Sequence, residues 1–148
     1  METLFDLEIQ SLVYEGGGLG RLPDGRAAFV PFVMPGELVT ARLREEKKGF
    51  VLADLVRVNR PHPQRIAPRC IHFDVCGGCH YQHIPYELQL EYKKEIFKEQ
   101  LQRIGGIQSP KVDKIIPSTD AWHYRNAMQF QVPEDGTLCY AGARDNTL

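Results

Sequence analysis

Glycine and proline cut the first sixty residues into pieces too short for anything but a handful of strands. Gly16-Gly17-Gly18, Gly20, Asp24-Gly25 and Pro35-Gly36 punctuate the stretch, and each is a position where a chain turns or admits a close neighbour. Between the breaks, Phe5, Leu7 and Ile9 alternate with Asp6, Glu8 and Gln10, the period-two pattern of a strand with one buried face. Residues 27–32, 37–44 and 50–58 read as further strands. Four or five strands in so short a length bury their apolar faces only by closing on themselves, so an OB-like β-barrel is expected over residues 1–59. The run G-G-G-L-G at 16–20 also has the composition of a phosphate-cradling loop. No strand-to-helix continuation follows it, and a glycine-rich turn between barrel strands is the preferred reading.

At 148 residues and 43% hydrophobic content the chain can bury a real core, as one domain or two small ones. No apolar run approaches a membrane span, and no signal-peptide pattern opens the sequence. A cytoplasmic monomer without membrane association is therefore expected. The net charge of −1 makes no global case for nucleic acid. Divided along the chain, residues 1–58 carry 7 basic and 9 acidic side chains, 59–80 carry 3 and 1, and 81–148 carry 8 and 9. Only the middle segment is locally positive.

That middle segment, residues 60–84, holds the chemistry. Pro61, Pro63 and Pro68 remove ladder donors and fix φ, so residues 60–69 read as an extended arm. Its Arg60, Arg65 and Arg69 are either a solvated linker face or a strip that contacts phosphates. The arm leads into R-C-I-H-F-D-V-C-G-G-C-H-Y-Q, which places Cys70, Cys76 and Cys79 within ten residues. A C-x-x-C turn lets two thiolates converge on one centre, and Gly77 and Gly78 give the backbone the freedom such a loop needs. With five residues between it and Cys76, Cys70 reaches the same centre. Iron–sulfur clusters favour all-thiolate ligation, whereas zinc accepts mixed Cys and His, so His72, His80 and His83 keep zinc open. A disulfide or three inert thiols are the blander readings, and neither predicts clustering at ligand spacing.

After the cysteines, Pro85 opens a helix expected to reach Ile104 and to stop at Gly105-Gly106. Tyr86, Leu90, Phe97, Leu101 and Ile104 form its expected apolar stripe, widened by Leu88, Tyr92 and Ile96. Glu91 with Lys94 and Glu95 with Lys98 pair on the wet side. Residues 112–117, 128–132 and 137–143 read as strands, the last two joined by a hairpin turn at Glu134-Asp135-Gly136. The cluster Trp122-His123-Tyr124-Arg125-Asn126 precedes the middle one, with two roles open: stacking on or pairing with RNA, or capping the sheet. The fold class is thus mainly β with α: the barrel at 1–59, a connector and cysteine loop at 60–84, and one amphipathic helix with the start of a small α+β domain at 85–148. No dinucleotide fingerprint, P-loop or nucleophile–base constellation is present.

These motifs together resemble the N-terminal part of the large-subunit rRNA uracil-C5 methyltransferases. The 16–20 glycines, F-V-P-x-x-x-P-G-E at 29–37 and Pro63-x-Arg65 look like a TRAM domain and its exit, C-x5-C-G-G-C like that family's iron–sulfur motif, and W-H-Y-R-N like the opening of its central domain. The resemblance implies ribosomal RNA as partner, a 4Fe-4S cluster held by Cys70, Cys76 and Cys79, and RNA contacts from Arg60, Arg65, Arg69 and Arg125. It also implies that S-adenosylmethionine and the catalytic residues belong to a further domain absent from these 148 residues, so that this chain alone is inactive. In the family the fourth cysteine follows the strand that L-C-Y-A-G-A-R resembles, which makes Cys139 a buried free thiol. Two alternatives remain: a stand-alone RNA- or zinc-binding module, or a piece of a radical methylthiotransferase. The latter class uses C-x3-C-x2-C, which this chain lacks.

Overall fold

The computed structural model describes residues 2–143. Five strands, β1 (Leu4–Leu12), β2 (Gly18–Arg21), β3 (Ala27–Val30), β4 (Leu38–Glu46) and β5 (Phe50–Arg60), close into a barrel in the order β1-β2-β3-β5-β4. All pairings are antiparallel except β3 with β5, which run parallel. Closure leaves no exposed edge. The expected alternation holds in β1, where Leu7 and Ile9 are buried while their polar neighbours face out. They meet Ala28, Val30, Val33, Val39, Ala41, Val51 and Ala53 in one continuous core.

The glycines sit differently from the expected turn. Gly18 and Gly20 lie inside β2, and a Cβ on Gly20 would stand 2.6 Å from both the Glu8 carbonyl oxygen and Leu7 Cγ. One on Gly18 would stand 2.2 Å from Val33 Cγ2. Close approach of neighbouring strands, rather than turning, demands glycine there. The turn itself is the short 3-10 segment Tyr14–Gly16.

Helix α1 (Tyr86–Arg103) starts directly after Pro85. Leu88, Tyr92 and Ile96, spaced four apart, carry its contact with the barrel, packing on Leu12, Met34 and Ile84. The other expected stripe is not the seam, since Phe97 is 53% and Ile104 80% exposed. Glu95 pairs with Lys98 at 2.8 Å as expected, but Lys94 donates to the Asp113 carbonyl oxygen at 2.9 Å instead of pairing with Glu91.

The C-terminal strands do not form among the described residues. Residues 112–117 have no ladder partner, and the expected 128–132 and 137–143 hairpin is reduced to one bridge, Gln131 with Cys139. An alternating sequence becomes a strand only when a neighbour accepts its hydrogen bonds, and here Ile116, Val132 and Leu138 remain exposed. Among the described residues no helix is long and apolar enough to cross a membrane.

Candidate metal centre

The cysteine loop is anchored to the barrel by a buried polar junction. Glu37, at the entry to β4, is fully buried and accepts from the Met34 amide at 2.8 Å and the His62 amide at 3.1 Å. Arg65 reaches both its carboxylate oxygens from Nη1, at 3.0 and 2.8 Å, while Nη2 donates to the Phe32 carbonyl oxygen at 3.0 Å. A carboxylate taken out of water requires this degree of pairing. The arm is therefore not free: it turns back on itself, with the Arg65 amide on the His62 carbonyl, and locks to the barrel. This corrects the solvated-linker and phosphate-contact readings for Arg65, whose guanidinium is committed to Glu37.

His83 lies beside that pair and is fully buried, its Nε2 3.1 Å from the Val33 carbonyl oxygen. Burial pushes its ring down to about 4, a shift opposed by the Val33 contact and reinforced by the nearby Arg65 charge. The Phe73 ring packs 5.0 Å from Phe32 and 5.5 Å from His83, centroid to centroid, so a residue from the middle of the cysteine loop is wedged into the junction. His83 thus serves packing, and of the three histidines that kept zinc open only His72 and His80 face the cysteine cleft.

Two successive turns shape the loop, with the Phe73 amide on Cys70 O and the Cys76 amide on His72 O. All four cysteines are free. Cys70 and Cys79 are exposed, Cys76 and Cys139 partly buried, and all four line one open cleft. The Gly78 amide donates to Cys76 Sγ at 3.4 Å, so the turn of the C-G-G-C segment is closed on its first sulfur. Gly77 is required by close approach: its amide donates to Ala141 O at 2.9 Å, and a Cβ there would stand 2.8 Å from the same oxygen. The Ala143 amide donates to Val75 O at 2.8 Å, completing a bridge between Cys76 and Gly142. The donor chemistry fits a thiolate-bound iron–sulfur cluster. Among the described residues no three His, Cys, Asp or Glu side chains are gathered into a finished coordination group.

Cys139 differs from its expected place. It lies at a single bridge rather than in a strand, and its thiol is 3.6 Å from the Gln131 carbonyl oxygen inside the cysteine cleft. The remaining arginines are scattered. Arg60 pairs with Glu8 at 3.2 Å, both ends exposed. Arg69 lies over Trp122, 4.6 Å from the ring centroid. Arg125 has its guanidinium raised, chiefly by the Tyr124 phenol beside it. Trp122 therefore ties the tail to the arm instead of capping a sheet.

A closed five-stranded barrel of this order is OB-like, and residues 4–56 match the TRAM domain family; this part of the chain is a TRAM domain. Over most of its length the chain is also similar to proteins named RNA methyltransferases. It is 39% identical to an uncharacterized RNA methyltransferase of Porphyromonas gingivalis, over 84% of this chain and 26% of that protein. It is 41% identical to another from Aquifex aeolicus, over 87% and 30%. With the 23S rRNA (uracil(1939)-C(5))-methyltransferase RlmD of Alkalilimnicola ehrlichii the identity is 40%, over 86% and 28%. The chain thus spans under a third of the length of these relatives. A solution structure of a conserved Methanococcus maripaludis protein is similar at 25% identity and a TM-score of 0.35, over 37% of this chain and 77% of that one.

Proposed function

We propose that these 148 residues are the RNA-recognition and cluster-bearing part of an S-adenosylmethionine-dependent methyltransferase that methylates C5 of a uridine in large-subunit rRNA. The observation that carries this reading is the alignment pattern. A chain with a TRAM barrel aligns over more than four-fifths of its length with three proteins named RNA methyltransferases, yet spans under a third of each. On this reading the nucleophile, base and methyl-donor pocket belong to a further domain. Cys70, Cys76 and Cys79 would hold a 4Fe-4S cluster as thiolates. Methyl transfer to an activated uracil involves no electron transfer, so the cluster supplies cross-linking rather than redox chemistry. The protein's own part is to fix the loop through Phe73 and to present Arg60, Arg69 and Arg125 to a phosphate backbone. A working compartment in the cytoplasm follows from an rRNA substrate.

Two measurements test the reading. The purified chain should transfer no methyl group from S-adenosylmethionine to rRNA, and turnover by it would refute the assignment. Its rRNA binding should weaken with salt, and replacing Arg60 and Arg69 together should flatten that dependence by up to about two contacts. An unchanged slope would remove both arginines from the interface.

A further inference from the structure

A second recess lies between the Tyr14–Gly16 turn and α1, away from the junction that holds the cysteine loop. Its floor is Ile96, buried in the seam, and Tyr81. Gly16, at φ 84°, brings the turn hard against that phenol: a Cβ there would stand 3.0 Å from Tyr81 Cζ. Above the floor two large aromatic side chains are left in water, Tyr14 at 69% and Phe97 at 53% exposure. Glu15, which also lines the recess, holds φ 67°, a left-handed conformation that a non-glycine residue adopts at a cost. Lys93 holds its ammonium 5.4 Å from the Tyr81 centroid and makes no ion pair among the described residues. Exposed aromatics, an unpaired cation and a strained turn therefore meet at one place.

We propose that this recess is a stacking site for one unpaired base of single-stranded RNA, with Lys93 on the neighbouring phosphate. The inference rests on the RNA-binding reading above and adds to it a location and a base preference. The turn between the first two strands is one that OB-type barrels use for oligonucleotides, and aromatic faces accept any base by stacking. Glu15 sets the preference. Its carboxylate accepts hydrogen bonds and donates none, so it suits a base that offers an exocyclic amino group, adenine, cytosine or guanine, over uracil, whose one donor is the ring N3–H. His80, Tyr81 and Lys93 also line the cysteine cleft, so a strand leaving the recess continues along the candidate metal loop.

The test uses the 148-residue chain and short fluorescent RNA oligomers, oligo-A and oligo-U, with anisotropy at low salt and circular dichroism to verify folding. Oligo-A should bind more tightly than oligo-U. Tyr14→Ala and Phe97→Ala should each weaken oligo-A binding by about 5- to 100-fold, while Tyr14→Phe retains it. Glu15→Ala should bring oligo-A to the oligo-U level, and Lys93→Gln should lower the salt slope by about one contact. If wild type binds and both alanine variants bind equally well, the recess is not the site, though RNA binding stands. A folded wild-type chain that binds neither oligomer overturns the RNA reading and this inference with it. If sedimentation shows a dimer that Tyr14→Ala dissolves while RNA affinity is unchanged, a second copy occupies the recess and the proposal is wrong.

Discussion

The barrel and the C-terminal tail are both rich in alternating apolar residues, yet only one of them is a sheet. In the barrel every strand has two neighbours, and Val30, Val39 and Ala41 are wholly buried. Between residues 104 and 143 the backbone has single bridges at Gln131–Cys139 and Cys76–Gly142, while Ile116, Val132 and Leu138 face water. What differs is not local propensity but the supply of partners, because isolated pairs of extended segments are marginal in water. The tail takes its course from a few tethers. The Ser118 amide bonds to the Tyr86 hydroxyl at 2.7 Å, Lys94 holds the Asp113 carbonyl, and residues 141–143 lean on the cysteine loop. Barrel and junction should therefore unfold as one unit, with the tail opening first.

The largest effect should come from the junction. Arg65→Ala leaves the Glu37 carboxylate buried without its cation and should cost about 3 to 5 kcal/mol, read from urea melts. A loss below about 1 kcal/mol would mean that the arm is dispensable to the barrel.

Next in size is an acid effect at the same junction. His83 titrates near 4 in the folded chain against an ordinary 6.5, so the unfolded chain binds more protons between those values. Its contribution is complete above pH 6.5 and is lost as the pH falls toward 4, by at most about 1.4 kcal/mol per pH unit. His83→Gln should remove that slope. If the variant loses stability between pH 6.5 and 4 as steeply as wild type, another group is responsible.

Gly20→Ala pushes a methyl into the Glu8 carbonyl and Leu7, and should destabilise the barrel by about 1 to 3 kcal/mol. Gly77→Ala also meets a backbone oxygen, that of Ala141 at 2.8 Å, but in the tail. Its global melting point should stay within about a degree of wild type, while amide protection at Gly77 and Ala143 disappears. Equal melting-point losses from the two substitutions would erase the distinction between barrel and tail.

Much of the barrel is legible from Phe5, Leu7 and Ile9 and from the glycine and proline breaks, because period-two burial and chain reversal are local properties. The helix is legible in extent but not in face: Leu88, Tyr92 and Ile96 form a narrower stripe than the sequence offers, and only the position of Met34 and Ile84 selects it. Nothing in the spacing of Glu37 and Arg65 announces an ion pair 28 residues apart. A lone acid inside F-V-M-P-G-E-L-V was the available hint. Tyr14 and Phe97 likewise read as ordinary apolar positions until the turn and α1 lie side by side. The cysteine spacing was plain, but the return of residues 139–143 onto the loop depends on tertiary contacts that no local pattern encodes.

Hydrogen exchange across the whole chain, before and after anaerobic loading with iron and sulfide, tests the central claim most directly. Loading should raise protection in residues 70–83 and in their bridge partners at 141–143, and leave β1 to β5 as slow to exchange as before. Cys79→Ser should abolish both iron uptake and the added protection, while Cys139→Ser leaves iron content unchanged because the cluster is assigned to Cys70, Cys76 and Cys79. Loading that leaves 70–83 unprotected, or that Cys79→Ser does not prevent, would contradict the assignment of this loop as the cluster site.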